Sequence, residues 1–165
     1  MHRRLKTHDR LRPWDVGGAV NLNLLCCSLC HTGPDSHEHL FFECKYSNHV
    51  WSLLKSKAGM PNVSNHLDDV VTHLVPCSKG NSAKGVIGRL VLAATIYFIW
   101  QERNNRMFSN NTRTPEKLRD TIIHNVRMRL ATITFKSNAR VVRLLEEWRL
   151  PTCLLLDGDD PAYVE

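Results

Sequence analysis

The sequence predicts a mainly α fold, with a small zinc-knuckle-like module followed by a helical C-terminal region. Cys27, Cys30, His39 and Cys44 read C-x2-C-x8-H-x4-C within one short stretch. Downstream, apolar residues recur at helical rather than alternating spacing. Only Asn21 to Leu25, leading into the cysteines, reads as a strand. At 165 residues and 42% hydrophobic content, the chain has room for such a module plus a helical core.

The elements follow in order. Residues 3–12 are basic and suit a short helix or an extended arm. Trp14 followed by Gly17 and Gly18 marks a turn, and Thr32-Gly33-Pro34-Asp35 marks a stronger one. Ser36 can cap a helix carrying Glu38, His39, Leu40 and Phe41. A second helix is expected from Ser47 to Lys57, on the spacing of Val50, Trp51, Leu53 and Leu54, ended by Gly59-Met60-Pro61. Asn65 opens a short helix that Pro76 should stop, and the polar stretch 78–85 reads as a linker. Val86 to Phe108 is a long helix with Ile87, Val91, Ala94 and Phe98 on one face. Leu90, Tyr97 and Trp100 widen that face so far that the helix must be buried or paired. Thr114 caps the next helix, with Pro115 at its first position and a stripe of Leu118, Ile122, Val126, Leu130 and Ile133. Val141 to Trp148 is a last short helix, ended by Pro151. The expected division is 1–58 for the zinc module, 59–85 for a short helix and linker, 86–150 for the helical region, and 151–165 for an acidic tail without fixed structure.

The cysteine–histidine cluster carries the chemistry. A C-x2-C turn offers two thiolates from one loop. His39 and Cys44, about one helical turn on, offer the remaining two corners of a tetrahedron for one zinc ion. Cys26, His31 and His37 lie near enough to stand in for a ligand. Leu40-Phe41-Phe42 can pack over the site. Four protein ligands leave no position for a reactive water, so the zinc reads as structural. Cys77 and Cys153 read as plain small residues. The pairs Cys30–His31 and Cys44–His49 lack a third, orienting group for nucleophilic catalysis. Asp68 and Asp69 are adjacent and point apart on a helix. Residues 80–88 contain no phosphate-loop spacing. No enzyme activity and no small-molecule substrate are expected.

The net charge is +6, concentrated at about +6 in 101–149 and offset by about −4 in 150–165. Arg3, Arg4, Lys6, Arg10 and Arg12 form a basic arm beside the metal module. Zinc knuckles with basic flanks bind single-stranded RNA or DNA, so these five are the candidate nucleic-acid-binding residues. The arginines from Arg103 to Arg143 read mainly as solvated helix faces. The N-terminus has no apolar core of a secretory signal. The longest apolar run, Leu90 to Trp100, is about 11 residues and too short to span a bilayer. A nuclear or cytoplasmic protein is expected, without a membrane partner. A rival reading makes the chain a zinc-stabilised interaction module that forms a homo-oligomer through the 90–100 helix.

Several spaced elements agree with one family. Leu5-Lys-Thr-His-Asp-Arg-Leu11, Trp14, Cys27-Ser-Leu-Cys30, Asp35-Ser-His-Glu-His-Leu-Phe-Phe-Glu-Cys44, Tyr46-Ser47 and Val50-Trp51 together resemble the zinc-binding domain that follows reverse transcriptase in plant LINE-type (non-LTR) retrotransposons. The likeness covers about residues 1–55. Ile96 to Phe108, with its Ile-Trp-x-x-Arg-Asn segment, resembles a stretch found downstream in similar sequences. The resemblance implies zinc ligation by Cys27, Cys30, His39 and Cys44, and a place in reverse-transcription machinery. Asp35 stands where the family usually has glutamate, and Asp15 where it has glycine after tryptophan. The paired aspartates of a polymerase and the carboxylates of a ribonuclease H are missing from the sequence, which suits a retroelement fragment or a short gene derived from one. A degenerate relic without selected function is a further alternative.

Overall fold

In the computed structural model, residues 26–78, 82–109 and 111–156 are described. The basic arm, the Trp14 to Gly18 turn, the Asn21 to Leu25 strand and residues 157–165 of the acidic tail lie outside them, whereas 151–156, expected without fixed structure, form a 3-10 turn and a short strand because that strand finds a hydrogen-bonded partner in residues 135–136. A π-helical turn, His39–Glu43, leads into α1 (Lys45–Leu54), α2 (Leu67–Ser78), α3 (Ala83–Phe108) and α4 (Pro115–Leu130). A two-residue strand β1 (Phe135–Lys136), then α5 (Ala139–Glu147), a 3-10 turn Thr152–Leu154 and β2 (Leu155–Leu156) complete the order. β1 and β2 pair in parallel, with Phe135 opposite Leu155 and Lys136 opposite Leu156. Two residues are too few for a period-two signal, so this pair was invisible to pattern reading.

The helix ends follow their caps. Ser82 Oγ accepts from Gly85 N, which starts α3 at Ala83 rather than Val86 and places the last three residues of the expected linker in helix. Thr114 Oγ1 accepts from Lys117 N, and Pro115 sits where its missing N–H costs nothing. Asn138 Oδ1 accepts from both Arg140 N and Val141 N, so α5 begins at Ala139 instead of Val141. α1 begins at Lys45, directly after Cys44, whose extended backbone breaks the preceding turn. Pro76 does not stop α2. It falls in the last turn, where losing one backbone hydrogen bond leaves little helix to disrupt. Past α1 the chain reverses at Gly59, whose φ of 75° favours glycine.

α3 is the central element and packs against α1, α2, α4, α5 and the π-helical turn. One continuous core runs from Cys27 to Trp148. Val50, Trp51 and Leu54 of α1, Leu118, Ile122, Val126 and Leu130 of α4 and Ile87, Val91 and Ile99 of α3 are buried within it. Four members of the expected α4 stripe are therefore its buried face, while Ile133 falls past the end of the helix and is only partly buried. On α3, Thr95 rather than Ala94 takes a fully buried position. Its hydroxyl donates to Val91 O at 2.7 Å, which lets a polar side chain enter the core. By length and composition α3 is long and apolar enough to cross a membrane. In this fold it is a packed helix that carries buried charge, Glu102 and Arg103, near its C-terminus.

Those charges tie α3 to the cysteine loop. Arg103 Nε donates to Asp35 Oδ1 at 2.9 Å, and its Nη2 donates to Oδ2, a two-pronged contact between residues 4% and 3% exposed. Ser28 Oγ donates to Arg103 O at 3.3 Å, and Arg106 Nη1 donates to Leu29 O at 3.0 Å. The fully buried Glu102 accepts from Arg106 Nε at 2.9 Å and from Arg113 N at 2.7 Å, and its second oxygen lies 3.2 Å from Arg113 Nε. The Arg106 guanidinium sits 4.5 Å over the Tyr46 ring. Tyr46 OH donates to Arg113 O at 3.0 Å, and burial together with the Glu102 charge pushes this phenol up to about 12. Arg103 and Arg106, expected on a solvated face, are spent inside the molecule, and Arg113 is half-buried against Glu102.

Breaking a buried ion pair from one side costs more than the pair contributes, because the remaining charge stays desolvated. Arg103→Met should therefore lower the unfolding free energy by about 3–5 kcal/mol in denaturant titration. Asp35→Asn added to it should recover part of the loss.

Candidate metal centre

The cysteine loop is shaped by its backbone. His31 N donates to Cys27 O at 2.8 Å, and Cys27 N donates to Gly33 O at 2.8 Å. His31 adopts a φ of 56°, which turns the chain back so that Cys26 bridges Pro34. Ser36 then accepts from His39 N through its hydroxyl at 3.2 Å and from Leu40 N through its carbonyl at 2.9 Å.

The next turn is π rather than α, and the ligand spacing shows why. Five residues are about 1.4 turns of an α-helix, which would leave His39 and Cys44 about 140° apart. Here Cys44 N donates to His39 O at 2.7 Å, an i to i+5 closure that widens the turn and brings residue 44 over residue 39. The expected Ser36-capped helix thus starts as α at His37 and Glu38 and continues in the π winding that fits an H-x4-C spacing. Leu40 and Phe41 within it are buried and back the site.

Cys27, Cys30, His39 and Cys44 converge, with one ligand atom from each within 4.8 Å of the others. Cys27 Sγ and Cys44 Sγ are 3.8 Å apart, matching the about 3.8 Å edge of a tetrahedron with zinc–sulfur bonds of about 2.3 Å. Cys30 Sγ lies 3.2 Å from His39 Nε2, slightly inside the about 3.6 Å edge of a mixed sulfur–nitrogen pair. Three thiol sulfurs and one imidazole nitrogen are a donor set that suits zinc. The residues fit one zinc ion.

Charge and space are arranged for it. The Cys27 thiol donates to Cys44 Sγ, which pushes Cys44 down to about 5 and, aided by burial, pushes Cys27 up. Burial opposes ionisation of Cys30, but contacts from the Thr32 hydroxyl and backbone and from His39 outweigh it and lower the thiol. Thiolate is the ligating form, so the pocket already favours two of its anions. Gly33 gives the imidazole its seat. A Cβ there would lie 2.3–2.7 Å from three ring atoms of His39. Asp35, two residues on, is held by Arg103 from α3, so both walls of the loop are anchored.

The other sequence candidates lie apart. Cys26 and His31 are exposed, and the buried His37 packs its ring on Phe41 at 5.2 Å. None of them belongs to the cluster among the described residues. Arg3, Arg4, Lys6, Arg10 and Arg12 fall outside the described residues. Sequence reading missed Gly33, Asp35, Arg103 and Glu102. Gly33 showed itself only as a turn residue, and the partners of Asp35 and Glu102 come from distant segments.

Residues 1–51 match the family model described as zinc-binding in reverse transcriptase. The match and the convergent cluster assign this segment as a zinc-binding, reverse-transcriptase-type module. No curated protein and no solved structure matches the chain.

Gly33→Ala should displace the His39 ring and weaken zinc binding by about 10–100-fold in a chelator competition, the range for disturbing a ligand's support. Cys44→Ser should release the metal and, because zinc binding is coupled to folding, abolish the protection of the 27–44 amides from hydrogen exchange.

Proposed function

We propose that this chain is a non-catalytic protein of LINE-type retroelement origin, of the kind found in plants, in which a structural zinc supports contact with single-stranded RNA or DNA during reverse transcription. The observation that carries the reading is the closed three-thiolate, one-imidazole site in a segment that matches the reverse-transcriptase zinc-binding family. Four protein ligands leave a zinc ion no open position at which to activate water. The basic arm of Arg3, Arg4, Lys6, Arg10 and Arg12 precedes that site directly and supplies phosphate-neutralising charge. Cys26, Cys27, Cys30, Cys44 and Cys153 are free of disulfides, in keeping with a reducing nuclear or cytoplasmic setting.

Fluorescence anisotropy with labelled oligo(U) and oligo(dT) tests the contact. The logarithm of the binding constant should fall linearly with the logarithm of salt, and glutamine at all five arm positions should flatten the slope. Absence of binding at low salt, or tight binding indifferent to salt, overturns the reading.

A second reading is favoured by the apolar surface that α2 and α3 leave uncovered. Tyr97 is 53% exposed and Val75 is 54% exposed, while Ile96 and Trp100 are only partly buried. A second copy of the chain docked on the 90–100 segment would cover them. Light scattering should then give twice the monomer mass, and Tyr97→Glu should return the monomer. A monomer at all concentrations removes this reading.

A further inference from the structure

We infer that the cavity between the α1–α2 connection, the start of α3 and the face of α5 is a phosphate-binding groove for a nucleic-acid strand, separate from the N-terminal arm. The inference rests on the nucleic-acid reading above and names a surface for it. The cavity measures about 710 Å³ and lies outside the zinc cluster. Its rim carries Lys57, Lys84, Arg140 and Arg143 against a single acid, Glu147. Ile87, Val141 and Leu144 contribute an apolar floor.

Three features mark these cations together. Arg103, Arg106 and Arg113 are consumed by Asp35 and Glu102, and Arg119 pairs with Asp120. No salt bridge among the described residues involves Lys84, Arg140 or Arg143, so their charge is available. Two rim lysines also lie against the backbone of the cavity wall or its edge. The Lys84 stem crosses Gly59, where an added Cβ would come within 2.9 Å of its Cε, and Lys57 is fixed by donating to Glu147 O at 2.6 Å. Finally, the first turns of α3 and α5 both line the cavity, through Ser82, Ala83 and Lys84 and through Asn138, Arg140 and Val141. The positive ends of two helices therefore reinforce the side-chain charge. An apolar floor under a cationic rim suits a strand whose phosphates meet the rim and whose bases or sugars lie on the floor.

The test compares two triple variants of the full zinc-loaded chain that remove equal charge. One carries Lys84→Gln, Arg140→Gln and Arg143→Gln in the cavity. The other carries Lys117→Gln, Arg119→Gln and Arg129→Gln on α4. Binding of labelled oligo(U) of about 20 nucleotides is followed across salt. The cavity variant should lose about tenfold or more in affinity and its salt slope should fall by about 2, as expected for three lost phosphate contacts on a single strand. The α4 variant should change much less. Equal losses in both variants, or none in the cavity variant, overturn the groove while leaving the nucleic-acid reading intact. Failure of the unaltered chain to bind at low salt overturns both. Displacement of the strand by micromolar pyrophosphate assigns the cavity to a small phosphate compound and overturns the strand.

Discussion

Everything near the N-terminal end of the described structure depends on one constraint: four ligand atoms from two short segments must meet at one point. Within itself the 27–33 loop closes on a few backbone hydrogen bonds, its other ties coming from α3, and the turn that follows is a wide π winding. Neither would persist alone, because π turns are rare and short loops bury little apolar surface. A structural zinc contributes on the order of 10–16 kcal/mol, as large as the whole stability of a typical domain at about 5–15 kcal/mol. The H-x4-C spacing and the π turn are then two sides of one requirement. The spacing defeats an α-helix, and the metal stabilises the turn that suits it.

A second constraint anchors that module to the helical body. The end of α3 delivers Arg103 to Asp35, Arg106 to the carbonyl of Leu29 and Glu102 to Arg106 and Arg113. This buried polar network is satisfied almost throughout, which is the condition under which such networks specify one arrangement instead of destabilising it. It also redraws the electrostatic surface. The chain is basic overall, but its densest cluster of arginines is turned inward. The contacts proposed for a polyanion are the arm that precedes the zinc site in the sequence and the rim of the α3–α5 cavity.

Local information made part of this legible in the sequence. The four ligands stand out because ligand spacing is a short-range pattern, and the buried face of α4 stands out because Leu118, Ile122, Val126 and Leu130 repeat at helical period. Three things were not legible. The winding of His39–Glu43 depends on the metal requirement, which propensity does not encode. The Asp35–Arg103 pair joins residues 68 apart, and nothing local distinguishes an arginine that will be buried from one that stays solvated. The helix starts shifted because Ser82 and Asn138 act as caps ahead of the first apolar residues, and Pro76 sat at a helix end where it does little harm.

X-ray absorption at the zinc edge of the purified chain reads the central claim most directly. The four-residue site predicts one zinc per chain with three sulfur neighbours at about 2.3 Å and one nitrogen neighbour at about 2.0–2.1 Å. An oxygen neighbour from water would contradict the closed shell. Four sulfurs, or fewer than three, would contradict the assignment of Cys27, Cys30, His39 and Cys44.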